Sequence, residues 1–136
     1  MKQNNYYMAK HNEIGKLGED VAKTFLMKHN FCVLETNYRV KYGEIDIIAE
    51  KDNKIHFVEV KTIEVSDFFK IDSLKIKPED NLTKNKWSKL VISCETYLYQ
   101  KNIKSETKWQ IDLACIYINH KIRQAKVVLI ENINKN

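Results

Sequence analysis

Among 136 residues, proline occurs once, at Pro78, arginine only at Arg39 and Arg123, and glycine three times. No apolar run is long enough to span a membrane. The chain has no Gly-rich loop to cradle phosphates, no Gly-x-Ser-x-Gly elbow and no His-Glu-x-x-His pair. The three cysteines, Cys32, Cys94 and Cys115, are odd in number and too scattered for a zinc site. His11, His29, His56 and His120 are equally dispersed, and none is assigned a role. The opening Met1-Lys2-Gln3-Asn4-Asn5-Tyr6-Tyr7 lacks the apolar stretch of a secretory signal. The expected compartment is therefore the cytoplasm, with thiols reduced and no membrane partner.

Because arginine is scarce, the formal charge of +5 is carried almost wholly by lysine. A basic balance suits a polyanion such as nucleic acid, although lysine, asparagine and isoleucine are abundant throughout and biased genome composition would also produce it. Lysine meets phosphate as a point charge and reads guanine edges poorly, so backbone or shape recognition is expected rather than sequence reading.

Hydrophobic spacing orders the chain. Ile14, Leu17, Gly18, Val21, Ala22, Phe25 and Leu26 predict an amphipathic helix over about 11–29, with Glu19 at the edge of its apolar stripe. Phe31 to Tyr38 reads as a strand, and Lys41-Tyr42-Gly43 as a turn into a second. Trp87, Leu90, Val91, Cys94, Tyr97 and Leu98 predict another helix from Thr83 to Lys101, with Lys86, Lys89 and Ser93 on one flank. That flank either lines a cleft or is an ordinary solvated face. Ile111 to Ile118 and Ala125 to Ile130 read as strands joined at Asn119-His120-Lys121. Residues 63–81, which include Phe68-Phe69 and Pro78, read as a long loop of functional or mobile character. One domain spanning 1–136 is expected, with its core over about 11–131 and a central mixed sheet.

The chemistry is concentrated in Gly43-Glu44-Ile45-Asp46-Ile47-Ile48 and His56-Phe57-Val58-Glu59-Val60-Lys61. If Asp52-Asn53 turns the hairpin between them, Asp46 falls opposite Glu59, and alternation puts Lys61 on the Glu59 face. Opposed like charges destabilise a sheet, and a divalent cation is the simplest group to offset them. Two carboxylates and a lysine suit phosphodiester hydrolysis in Mg²⁺ or Mn²⁺. The alternative is a charged edge-strand face that discourages aggregation.

Asp46 followed by Glu59-Val60-Lys61 resembles the Asp and Glu-x-Lys pattern of the PD-(D/E)XK nuclease superfamily, with Glu19 as its additional helical acid. Several further segments extend the likeness: Gly18-Glu19, Asn37-Tyr38-Arg39, Gly43-Glu44-Ile45-Asp46, Phe57 to Thr62, Lys86, Tyr97-Leu98 and Trp109-Gln110-Ile111-Asp112. Together they are similar to the YraN-like family of bacterial endonuclease-like proteins, over about residues 14–118. Ile63 and Gln110 depart from it, standing where relatives commonly carry arginine. The resemblance implies an α/β, restriction-endonuclease-like αβββαβ core, as in archaeal Holliday-junction resolvases. It further implies metal ligation by Asp46, Glu59 and the Val60 carbonyl, catalysis by Lys61 and assistance from Glu19. Arg39 and Lys86 are then expected near phosphate, and Lys84 and Lys89 join them as candidate nucleic-acid contacts. The expected activity is metal-dependent cleavage of DNA, including branched DNA, by a chain that could act as a homodimer. A non-catalytic nucleic-acid-binding module, or a protein-interaction domain docking through Phe68 and Phe69, are the competing readings.

Overall fold

The computed structural model describes residues 2–71 and 82–133. Helix α1 (Lys2–Lys28) leads into strands β1 (Cys32–Val40), β2 (Gly43–Lys51) and β3 (Lys54–Glu64), followed by helix α2 (Lys84–Gln100) and strands β4 (Lys108–Asn119) and β5 (Gln124–Ile130). The five strands lie in sequence order in one mixed sheet. Every neighbouring pair is antiparallel except β3 with β4. Parallel neighbours need a crossover, and α2 lies on that connection. This is the expected restriction-endonuclease-like α/β arrangement, extended by β5.

Alternation along β3 sends residues to two different cores. Ile55 and Phe57 join Ile45, Ile48, Leu113 and Cys115 under the apolar stripe of α2, formed by Leu90, Cys94 and Tyr97. Val58 joins Ile47, Ala49, Ala114 and Ile116 under Ala22 and Leu26 of α1. The sheet is covered on both faces, which is why β4 reads as a nearly continuous buried run. Because β3 is the central strand, Glu59 and Lys61 do not belong to a charged sheet edge.

Helix α2 begins where the sequence placed it, with the Thr83 hydroxyl accepting from the Lys86 N–H at 3.2 Å. Helix α1 starts at Lys2 rather than near residue 11, because the apolar period that marks it in the sequence begins only at Ile14. The expected loop over 63–81 is ordered at its start: β3 runs to Glu64, and Asp67 caps a single 3₁₀ turn at Phe68–Lys70. Phe68 packs against the α2 core, whereas Phe69 is 96% exposed. The rest of that loop, including Pro78, lies outside the described residues. Among the described residues, no helix is long and apolar enough to cross a membrane.

Gly18 sets how closely α1 approaches the sheet. A Cβ built there would lie 1.8 Å from Thr62 Oγ1 and 3.0 Å from Thr62 Cβ. Rotating Thr62 would move Oγ1 but not its Cβ, which would stay 3.0 Å away. Gly18→Ala is therefore expected to destabilise the protein by about 1–2 kcal/mol, overpacking outweighing the ~1 kcal/mol gain in helix propensity. Thr62→Ala in the same chain should recover most of the loss in a denaturant double-mutant cycle. Additive losses would show that Thr62 is not the obstacle.

Candidate functional site

Asp52 and Asn53 both adopt positive φ, 52° and 61°, and make the tight turn between β2 and β3. Pairing then runs from Lys51 with Lys54 to Ile47 with Val58. One step further would oppose Asp46 and Glu59, but the ladder stops short of that pair. Asp46 Oδ2 instead accepts the Val60 N–H at 2.8 Å. The irregularity is shared with β1, where Asn37 takes φ 50° and the pairing with β2 passes from Thr36 with Ile47 to Tyr38 with Ile45. Ile45 and Ile48 consequently both reach the α2 core, an arrangement that strict alternation would forbid. The strands part at Asp46, where two opposed carboxylates would otherwise repel within the ladder.

Four acids from three elements gather around this opening. Burial raises the Glu59 pKa to about 8, aided by the Asp46, Glu44 and Glu19 charges and opposed by the Asp46 backbone N–H. Asp46 is raised chiefly by burial and further by Glu44, against the stabilising Val60 hydrogen bond. Glu19 is also raised by burial, then by Asp46 and Glu44. Glu59 Oε1 is buried without a hydrogen-bond partner among the described residues. The Asn37 amide, with its nitrogen turned toward the acids as hydrogen bonding requires, donates to Glu44 Oε1 at 2.7 Å and Glu19 Oε2 at 3.1 Å. Arg39 Nε lies 3.4 Å from Glu44 Oε2.

A cleft of about 340 Å³ opens beside these acids, lined by Glu44 and Glu59 on one side and by Lys86, Lys89 and Leu90 of α2 on the other. Ser93 also lines it, its hydroxyl donating to the Lys89 carbonyl at 2.8 Å. Lys61 is exposed and follows Glu59 by two residues on β3, so the pleat gives both the same face. It makes no ion pair within 4.0 Å among the described residues, and its charge acts on buried Cys115, its partner in β4. Lys84 is exposed at the first position of α2 and is not part of the cleft lining. The geometry thus brings Glu19, Asp46 and Glu59 together, and of these Glu59, with Glu44, lines the cleft opposite Lys86 and Lys89. Arg39 reaches them through Glu44, and Lys84 stands apart.

Residues 18–116 match the family described as "Uncharacterised protein family UPF0102". The chain belongs to the UPF0102 family. It is 38% identical over 99 residues to a UPF0102 protein of a Nitratiruptor species, covering 73% of this chain and 78% of that one. It is 36% identical over 114 residues to a Flavobacterium psychrophilum relative, covering 84% and 88%. With a Campylobacter jejuni UPF0102 protein the identity is 40% over 102 residues, covering 75% and 81%. This is the YraN-like group that the sequence motifs resemble, and the UPF0102 match spans every candidate residue from Glu19 to Lys89.

Sequence reasoning passed over two features. Glu44 is a fourth acid, and its signal was available: it lies two residues before Asp46 on a strand. The other is His56, which had been assigned no role. It is buried, and its Nδ1 lies 2.7 Å from Oδ2 of fully buried Asp112. Ligand atoms of His56, Asp112 and Glu131 all lie within 4.8 Å of one another, a spacing that could hold a metal ion. Among the described residues no other three His, Cys, Asp or Glu side chains come that close, so the acids around Glu59 are more widely spread. Nothing in the sequence spacing of 56, 112 and 131 signals this group, because β3, β4 and the end of β5 bring it together only in the folded sheet.

Proposed function

We propose that this protein is a metal-dependent endonuclease that hydrolyses phosphodiester bonds in DNA, including branched or otherwise structured DNA. The observation carrying this reading is the buried, unpartnered Glu59 Oε1 beside Asp46, Glu44 and Glu19, at the edge of a cleft whose opposite wall is lysine. A buried carboxylate oxygen without a donor is costly, and the surrounding set of hard oxygens is the chemistry that Mg²⁺ or Mn²⁺ selects. The residues therefore fit such an ion, with Asp46 and Glu59 as its ligands, the Val60 carbonyl able to add a third oxygen, and Glu19 and Glu44 as flanking acids. When bound, the ion would neutralise phosphate charge and lower the pKa of a water.

The remaining work falls to the chain. Asn37 holds Glu19 and Glu44 in place, and the Val60 N–H fixes the Asp46 carboxylate. Lys61, on the Glu59 face and without an ion pair among the described residues, would orient a water or stabilise charge developing on the phosphate. Lys86 and Lys89 would hold the flanking backbone phosphates without reading bases, as the scarcity of arginine also suggests. Arg39 and Lys84 would extend this contact, and two chains acting together would cut both strands of a duplex.

The test is a cleavage panel of single-stranded, duplex, flap and four-way DNA in Mg²⁺, Mn²⁺ or EDTA, preceded by Mn²⁺ calorimetry. Products that need the metal, together with measurable Mn²⁺ binding, are expected. Salt-sensitive DNA binding with no metal-dependent products would instead identify a binding module that keeps the fold without the reaction.

A further inference from the structure

Three lysines stand in one row across the sheet. Lys51 of β2 pairs with Lys54 of β3, and Lys54 pairs with Lys108 of β4. Directly paired residues share a face, with Cβ atoms roughly 4.5–5.5 Å apart, and like charges so placed are destabilising. None of the three makes an ion pair within 4.0 Å among the described residues; Lys51 Nζ lies over the Phe31 ring, 4.9 Å from its centre. The next row on the same face is His56 paired with Gln110, and beyond it Asp112 pairs with Val58.

These groups surround a cavity of about 550 Å³ lined by the three lysines, His56, Gln110 and Asn132 together with two acids, Asp52 and Glu131. Such a volume lies within the ~300–1,000 Å³ range of small-ligand pockets. Asp112 orients the histidine. Its Oδ1 accepts Gln110 Nε2 and the Asn132 N–H, each at 2.8 Å, and its Oδ2 faces His56 Nδ1 at 2.7 Å. A nitrogen that faces a carboxylate carries the proton, so Nε2 is the working atom of the ring. The side chain of His56 is only 7% exposed, and Nε2 has no hydrogen-bond partner among the described residues.

We propose that this cavity binds a phosphate group, held by Lys51, Lys54 and Lys108 and by His56 Nε2. Three lysines against the two acids of the lining leave a surplus of positive charge, which phosphate would offset and a cation would increase. A metal would also have to break the Asp112 network, since Nδ1 and both carboxylate oxygens are already engaged. Either form of the imidazole serves: Nε2–H donates to a phosphate dianion, and neutral Nε2 accepts from the hydroxyl of a monoanion. The cavity lies on the α1 face of the sheet, opposite the face of Glu59, and the proposal stands independently of any nuclease activity.

The test follows the His56 ring nitrogens by ¹H–¹⁵N correlation in EDTA, with inorganic phosphate, a 5′-phosphorylated oligonucleotide or its unphosphorylated form as probe. Millimolar phosphate should move Nε2 saturably, and Lys54→Gln with Lys108→Gln, both outside the hydrophobic core, should weaken binding by about tenfold or more. Tighter binding of only the 5′-phosphorylated oligonucleotide would assign the site to a nucleic-acid end, and equal affinity for the free ion would assign it to a small anion. No saturable shift with phosphate would overturn the proposal. So would a shift unchanged in the lysine variant, or one produced by Zn²⁺ alone in a parallel titration without EDTA or phosphate.

Discussion

Asp46→Asn, Glu59→Gln and Lys61→Ala should each lower metal-dependent DNA cleavage by about 10²–10³-fold or more, the range seen when one electrostatic stabiliser is removed from an active site. The physical routes differ. Asparagine and glutamine keep the shape of Asp46 and Glu59 but remove the charge that would hold an ion, so these two variants should also lose Mn²⁺ binding. Lys61→Ala should retain Mn²⁺ affinity and lose only the rate, because Lys61 makes no ion pair with the acids. Stability provides a second readout that separates lost chemistry from lost fold. Asp46 and Glu59 repel each other within a partly buried cluster, so in EDTA each amide variant should be at least as stable as wild type. In Asp46→Asn the new amide oxygen can still accept the Val60 N–H. Full cleavage by all three variants would identify a contaminating nuclease. Loss of cutting accompanied by a large fall in Tm would mean that these residues are structural.

The periodic parts of this molecule were legible because their residues repeat. The 3.6-residue spacing of Trp87, Leu90, Cys94 and Tyr97 marks α2 to within a residue of its ends, and Thr83 supplies the cap. Asp52-Asn53 announced the hairpin, and that turn fixed a register in which Asp46 and Glu59 come together. The splaying of the strands there was not legible. It coincides with a positive φ at Asn37 in the neighbouring strand, and although asparagine takes that conformation more readily than most residues, a strand-like run does not mark where it will. The contact between Gly18 and Thr62 was hidden for a related reason: a glycine within a helical period reads as a weak helix former until the facing strand is known. His56 and Asp112 lie 56 residues apart and meet only because β3 and β4 run parallel, a pairing that local pattern does not specify.

The other large effect expected is a fall in stability with rising pH in the absence of metal. Glu59 has its folded pKa raised from 4.5 to about 8, so between those values the folded protein holds a proton that the unfolded chain has lost. The contribution is fully present below about pH 4.5, declines as the pH rises and levels off above about pH 8. Asp46 and Glu19 are shifted in the same direction and add to the slope. Allowing for water at the cleft, the total is on the order of 2 kcal/mol, or a drop in Tm of roughly 5 °C or more for a chain of this size. An ion that takes the place of the proton should reverse this. Millimolar Mn²⁺ should raise Tm most at the alkaline end, and its binding should release protons in calorimetry run in buffers of different ionisation enthalpy. Glu59→Gln should flatten the metal-free profile and abolish most of the Mn²⁺ effect. A wild-type profile already flat from pH 5 to 9 in EDTA, or an unchanged slope in Glu59→Gln, would show that the proton does not sit on Glu59, and the argument from its unpartnered oxygen would go with it.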